Sequence, residues 1–255
     1  TGLSTSTIIV TISHHWLFAW LGLELNTLSI LPMTTKTWHP TATEASTKYF
    51  LVQTTAAALI LFASTMNAWQ TGQWCIFSPL APTTMTIISL AIMLKLGLAP
   101  VHAWYPEVLQ GTTITTALII STWQKIAPLT LLYLMSSHLP TTPLLIMGLT
   151  SALIGGWTGL NQTQTRKIMA FSSIAHMGWL LTAMCLNPDL ALLTFLMYTI
   201  MTTAMFMSLN TTTTKTLTDL GTTWTQSPAL TTLTVLTLVS LGGLPPLAGF
   251  MPKWL

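Results

Sequence analysis

The residues of this sequence able to do chemistry are few, and they stand where ionisable groups are rare. Glu24, Lys95 and Lys125 each lie near the midpoint of a long apolar run. A charge at bilayer depth is unfavourable by roughly 2.5–3.5 kcal/mol on insertion scales. Such residues persist where they line a polar path buried in protein. Burial makes the charged form costly for carboxylates and ammonium groups alike, so a Glu and a Lys relieve each other when adjacent. A lysine near an acidic partner loads a proton and releases it when the partner is displaced. Lys253, beyond a Gly/Pro-rich break, adds a third buried cation and completes a candidate proton path along the membrane plane. A static ion pair that only fixes helix packing is the competing reading. It accounts for one lysine and leaves two unmatched against a single central glutamate.

Two histidines extend the set. His176 sits near mid-span, as a hydrogen-bonded core residue or as a relay. His102 follows Pro100 at a helix break, where water access and a relay role are open to it. Glu107 is expected at the interface, solvated or anchoring a loop. His14, His15, His39 and His138 fall at span ends and are expected to be wetted.

The elements that must position these groups are helices. Only 5% of the 255 residues are charged and 51% are hydrophobic, against about 25% charged in ordinary soluble domains. Much of the remainder is Thr and Ser, whose hydroxyls bond back to the carbonyl one turn earlier. The expected fold is all-α, a polytopic transmembrane helical bundle. Spans are predicted at 1–13 (a partial helix), 16–33, 47–69, 84–104, 113–134, 140–160, 168–187, 190–210 and from 229 to 241. The span at 84–104 is broken at Pro100 and re-enters to about 112. The last runs into a second break, Gly242-Gly243-Leu244-Pro245-Pro246. Paired Gly/Pro-interrupted helices in two halves are the pattern of a repeat-built transporter with a midplane site; ordinary proline kinks are the alternative. The first half is 1–134 and the second 140–255. The chain begins at Thr1 and stops at Leu255 inside an apolar run, so both halves are expected to be truncated.

Alternating these spans places Lys36, Lys48, Arg166, Lys167 and Lys215 on one side and no Lys or Arg on the other. That asymmetry marks the basic side as cytoplasmic or matrix. Lys95, Lys125 and Lys253 are the basic residues left inside the membrane. A net charge of +3 on so few charged residues gives no nucleic-acid signal. There is no nucleotide-binding glycine motif, and Cys75 and Cys185 have neither disulfide nor cluster spacing. No nicotinamide, flavin, iron–sulfur cluster or metal is expected in this chain. A stand-alone cation/proton antiporter and a structural scaffold are the rival functions.

Five stretches carry a resemblance: WLGLELN at 20–26, MLKLGLAPVHAWYPEVLQG at 93–111, TWQKIAPL at 122–129, GLNQTQTRKIMAFSSIAHMGW at 159–179 and SLGGLPPLAGFMPKW at 240–254. With them the sequence resembles the antiporter-like membrane subunits of respiratory complex I, the mitochondrial NADH dehydrogenase subunit 2 family among them. The resemblance implies two inverted five-helix repeats, each with a discontinuous helix. It implies a proton path from Glu24 with Lys95, through Lys125, to Lys253. It also implies a multi-pass protein of the mitochondrial inner membrane, embedded in lipid beside other membrane subunits of complex I. NADH, FMN, iron–sulfur clusters and ubiquinone would then be bound by those other subunits, whose quinone reduction drives proton pumping.

Overall fold

The computed structural model describes residues 1–35, 39–77, 81–225, 227–245 and 247–254. Lys36, Pro246 and Leu255, which entered the sequence reading, lie outside the described residues. Among the described residues thirteen α-helices follow one another: α1 Gly2–Ile12, α2 Trp16–Thr34, α3 Pro40–Thr71, α4 Pro82–Leu96, α5 Trp104–Gly111, α6 Ile114–Ser121, α7 Ile126–Leu134, α8 Thr141–Leu160, α9 Thr165–Leu186, α10 Pro188–Thr212, α11 Leu217–Thr222, α12 Pro228–Gly242 and α13 Met251–Trp254. Among the described residues extended pairing is limited to two isolated bridges, His15 with Cys75 and Gln164 with Thr216.

Among the described residues six stretches are long and apolar enough to cross a membrane: α2, α3, α6 through α7, α8, α9 and α10. The chain is thus a multi-pass membrane protein. α1, α4 and α12 are shorter apolar helices. At 15 residues each, α4 and α12 reach about 22 Å, less than the hydrocarbon core. Proline opens α3, α4, α10 and α12, where its missing N–H has no helical partner to lose. Threonine hydroxyls fold back as expected; Thr202 donates to the Tyr198 carbonyl at 2.8 Å.

Several boundaries differ from those read in the sequence. α3 begins at Pro40, capped by His39, so Glu44 rides on its early turns instead of a loop, and Lys48 lies one turn further along the same helix. The 211–228 connection contains α11, closed by a capping box between Thr216 and Asp219. The span at 113–134 is not continuous. α6 ends at Ser121, Trp123–Lys125 form a 3-10 turn, and α7 restarts at Ile126. Pro128 supplies the reason: it has no N–H for the Gln124 carbonyl, and its ring crowds that carbonyl. The first discontinuity also falls earlier than Pro100. α4 stops at Leu96, because Gly97 takes φ +73° and its N–H and that of Leu98 turn back to Leu94 and Met93.

α8 and α9 form the closest helix pair. A Cβ on Gly155 would stand 2.7 Å from the Ala175 nitrogen, and one on Gly178 2.6 Å from the Gly148 carbonyl oxygen. Small residues allow this backbone approach without an apolar driving force in lipid. α3 packs against both α2 and α4, α5 against α3 and α9, and α10 against α6, α9 and α12. The charged residues therefore reach one another through α3, α5 and α10.

Candidate functional site

Lys95 occupies the last turn of α4, just before the break, and is 7% exposed. Its Nζ stands 3.5 Å from both the side-chain and backbone oxygens of Gln53 on α3. Gln53 Nε2 in turn donates to the Lys95 carbonyl at 3.3 Å. Glu24 does not form an ion pair with Lys95; the ion pairs among the described residues are those of Lys48. Its Oε2 is buried without a hydrogen-bond partner. The reason is positional. α2 carries Glu24, α4 carries Lys95, and α3 packs against both, presenting Gln53 to the ammonium.

Lys125 closes the 3-10 turn and is 3% exposed. Its Nζ donates to Tyr198 Oη of α10 at 3.2 Å. It lies 5.0 Å from the ring centre of Tyr105 and 4.9 Å from that of Tyr198, within cation–π range.

A cavity of about 10 Å³ lies between the two lysines, lined by Lys95, Gln53, Tyr105, Gln124 and Lys125 with Tyr49 and Trp104. Three of its lining residues have polar atoms buried without a hydrogen-bond partner: Trp104 Nε1, Tyr105 Oη and Gln124 Nε2. The Tyr105 hydroxyl is within electrostatic reach of Ser173 and Tyr198 but meets neither in hydrogen-bond geometry. A cavity of this size is at the threshold for one water molecule, and orphaned polar groups are what hold such a water.

On the far side of Tyr198 a second cavity, about 20 Å³, is lined by His176, Tyr198, Ser240, Leu241 and Lys253. The His176 ring lies 5.7 Å from that of Tyr198. Lys253 Nζ donates to the carbonyls of Leu241 and Gly242 at 3.1 and 3.3 Å, capping the C-terminus of α12 where a cation is favoured. His102 sits in the α4–α5 break. Its Nδ1 is buried without a partner, and it does not line the inter-lysine cavity.

The basic residues assigned to one side do gather. Lys48, Arg166, Lys167 and Lys215 line one hollow of about 720 Å³ with Glu44 and Glu107. Lys48 bridges Glu44 and Glu107 at 2.6 and 2.7 Å, and Arg166 donates to the Thr112 carbonyl. Glu107 thus anchors α5 to α3. Asp219 lies beside this hollow; bonds from the Thr216 hydroxyl and backbone hold its carboxyl below the usual range.

Gln53, Tyr105, Gln124 and Tyr198 were missed in the sequence. For Gln53, Gln124 and Tyr198 the signal that could have found them is a polar side chain inside an apolar span, away from the interfacial positions that suit Tyr and Gln; Tyr105, in the short α5 after the break, carries no such signal.

Fold and site together define a polytopic helical membrane protein with discontinuous helices and lysines buried at two of the breaks. The chain belongs to the family described as NADH:quinone oxidoreductase/Mrp antiporter, transmembrane, whose profile matches residues 13–255. It is 54% identical over 254 residues to NADH-ubiquinone oxidoreductase chain 2 of Xenopus laevis, covering 100% of this chain and 74% of that protein. It is 57% identical to the chain of the same name from Aquarana catesbeiana, covering 99% and 73%. Among solved structures it superposes on a chain of respiratory complex I from Thermus thermophilus with TM-score 0.91 and 26% identity, over 99% of this chain and 60% of that one. It also superposes on a chain of the Mrp complex from Dietzia with TM-score 0.89, at 16% identity, spanning 52% of that chain; this likeness is one of fold.

Proposed function

We propose that this chain is a proton-translocating membrane subunit of the respiratory NADH:ubiquinone oxidoreductase, seated in the mitochondrial inner membrane beside other membrane subunits. The single observation that carries the reading is the shared cavity. Two buried lysines from different helices, each at a discontinuity, face one water-sized space ringed by unsatisfied polar atoms. The path runs from Glu24 to Lys95, across the cavity to Lys125, and past Tyr198 and His176 to Lys253. His102 lies off this line in the first break. Relatives named NADH-ubiquinone oxidoreductase chain 2, matched over nearly the whole chain, support the assignment to that complex. Redox chemistry, with NADH, FMN, iron–sulfur clusters and ubiquinone, belongs to partner subunits. Among the described residues no group of three or more His, Cys, Asp or Glu could hold a metal ion.

Division into two repeats, 1–134 and 140–255, is part of this reading. α4 and α12 support it: each has 15 residues, opens on proline and closes on a left-handed glycine, Gly97 or Gly243. In both, that glycine and the next leucine donate back to matching carbonyls of the last turn.

The test is Lys95→Met and Glu24→Gln in the assembled complex, with NADH-driven quinone reduction and proton uptake measured together. Slowed coupled turnover is expected; unchanged turnover and pumping in both variants would remove the assignment. Cation flux by the isolated full-length protein in liposomes would favour a stand-alone antiporter instead.

A further inference from the structure

Tyr198 links the two cavities through its hydrogen bond with Lys125. Lys125 lines the first cavity, and Tyr198 lines the second with His176 and Lys253. The Tyr198 hydroxyl is engaged on both sides. It accepts from Lys125 Nζ at 3.2 Å and donates to the Ser121 carbonyl at 3.0 Å. In a continuous helix the Ser121 carbonyl would take the Lys125 backbone N–H. Here that N–H turns to Thr122 at 3.3 Å, because the chain has tightened into a 3-10 turn. The phenol therefore replaces the backbone bond lost at the break and holds the ammonium that the break exposes.

Resting on the proton-path reading above, we propose that Tyr198 is the positioning residue of Lys125, tying its ammonium to the α6–α7 break and doing, with Tyr105, what a carboxylate partner would otherwise do. No carboxylate stands within ion-pair distance of Lys125 among the described residues. Two tyrosine faces and one phenol oxygen surround it instead. The groups facing this site are Tyr105 of α5, Ser173 and His176 of α9, Tyr198 of α10, Gln124 of the break, and Lys95 of α4 across the cavity.

The bond order has a consequence. A charged lysine only donates, so the phenol must accept from it and give its single proton to Ser121. A neutral lysine offers a lone pair, which competes with the Ser121 carbonyl for that proton. The charged lysine enforces the order Lys125 to Tyr198 to Ser121; the neutral amine, which can donate or accept, allows the phenol to turn its proton from Ser121 to Nζ. Tyr198 thus couples the charge of Lys125 to the local backbone.

The test uses the assembled complex, comparing Tyr198→Phe, Tyr133→Phe and Lys125→Met for coupled turnover and its pH profile. Tyr198→Phe keeps the ring and removes the oxygen, so a loss of roughly threefold to tenfold in coupled turnover is expected, with a displaced pH profile. Tyr133→Phe removes a hydroxyl on α7 that lines neither cavity, and should leave rate and profile in place. An unchanged rate and profile in Tyr198→Phe, with Lys125→Met impaired, would overturn the role of Tyr198 alone. An unimpaired Lys125→Met would overturn the proton-path reading itself. A second measurement needs no variant: an experimental map of the wild-type complex. Tyr198 Oη within hydrogen-bond distance of Lys125 and Ser121 is expected, and a phenol turned away from both defeats the proposal.

Discussion

Gln53 and Lys95 hold each other from both ends. The amide nitrogen of Gln53 reaches the Lys95 carbonyl at 3.3 Å, and the Lys95 ammonium lies 3.5 Å from the Gln53 side-chain oxygen. The carbonyl belongs to the final turn of α4, where the chain reverses at Gly97 and intrahelical donors run out. One amide thus closes the end of a half-helix and orients its only cation. Gln53→Leu should leave a buried carbonyl and an ammonium unmatched, at a cost of about 1–3 kcal/mol. Coupled turnover of the complex should fall, and Gln53→Glu should restore part of it. Wild-type pumping in Gln53→Leu would show that Lys95 is positioned by other contacts.

Pro128 creates the break that Lys125 occupies. Pro128→Ala restores the N–H that the Gln124 carbonyl lacks and removes the ring that crowds it. The expected outcome is a straighter, more stable α6–α7 with Lys125 withdrawn from Tyr198. Thermal stability of the purified complex should hold or rise while coupled turnover drops. A variant as active as the parent would mean that the 3-10 turn persists without the proline.

Adjacent glycines at the end of α12 should respond in opposite ways. Gly243 has φ +78°, and a Cβ there would meet Lys253 Nζ at 2.8 Å. Gly243→Ala should destabilise by roughly 1–2 kcal/mol through the left-handed backbone alone and push Lys253 off the Leu241 carbonyl. Gly242 lies in the helix with open space around a Cβ, so Gly242→Ala should be neutral or stabilising. Melting temperatures of the two complexes decide it, and equal values would remove the asymmetry.

The α8–α9 contact should tolerate no side chain at its tightest point. Gly178→Val places a branched group against the Gly148 carbonyl and Ser151. Loss of assembled complex at normal growth temperature is expected. Gly156→Val, with nothing near its Cβ, is the matched control and should assemble.

The pH response of α11 follows from its capping box. The Asp219 carboxylate accepts from the Thr216 backbone N–H at 2.9 Å, and its proton affinity is depressed in the fold. A depressed carboxyl contributes stability above its unfolded value and loses it as pH falls through the folded value. Amide exchange in 217–222 should therefore accelerate on acidification below the ordinary aspartate range, and Asp219→Asn should flatten that response. An identical acid response in the variant would assign it to another group.

Composition and periodicity alone determined that this is a multi-pass helical membrane protein, because a chain with so few charges cannot cover a soluble surface. They also placed Lys48, Arg166, Lys167 and Lys215 on a common side, since span count fixes the side of each loop. The type of the functional residue was legible for the same reason: lysine in hydrocarbon is costly enough to need a purpose. What it touches was not. Gln53, Tyr105 and Tyr198 are ordinary letters in their own helices and lie 42, 20 and 73 residues from the lysines they serve. The break at Lys125 was read as continuous helix, because a proline four residues past the last helical carbonyl kinks a helix or interrupts it according to its neighbours. Here a tyrosine from α10 donates to the Ser121 carbonyl at the break, and only tertiary packing brings that hydroxyl within reach.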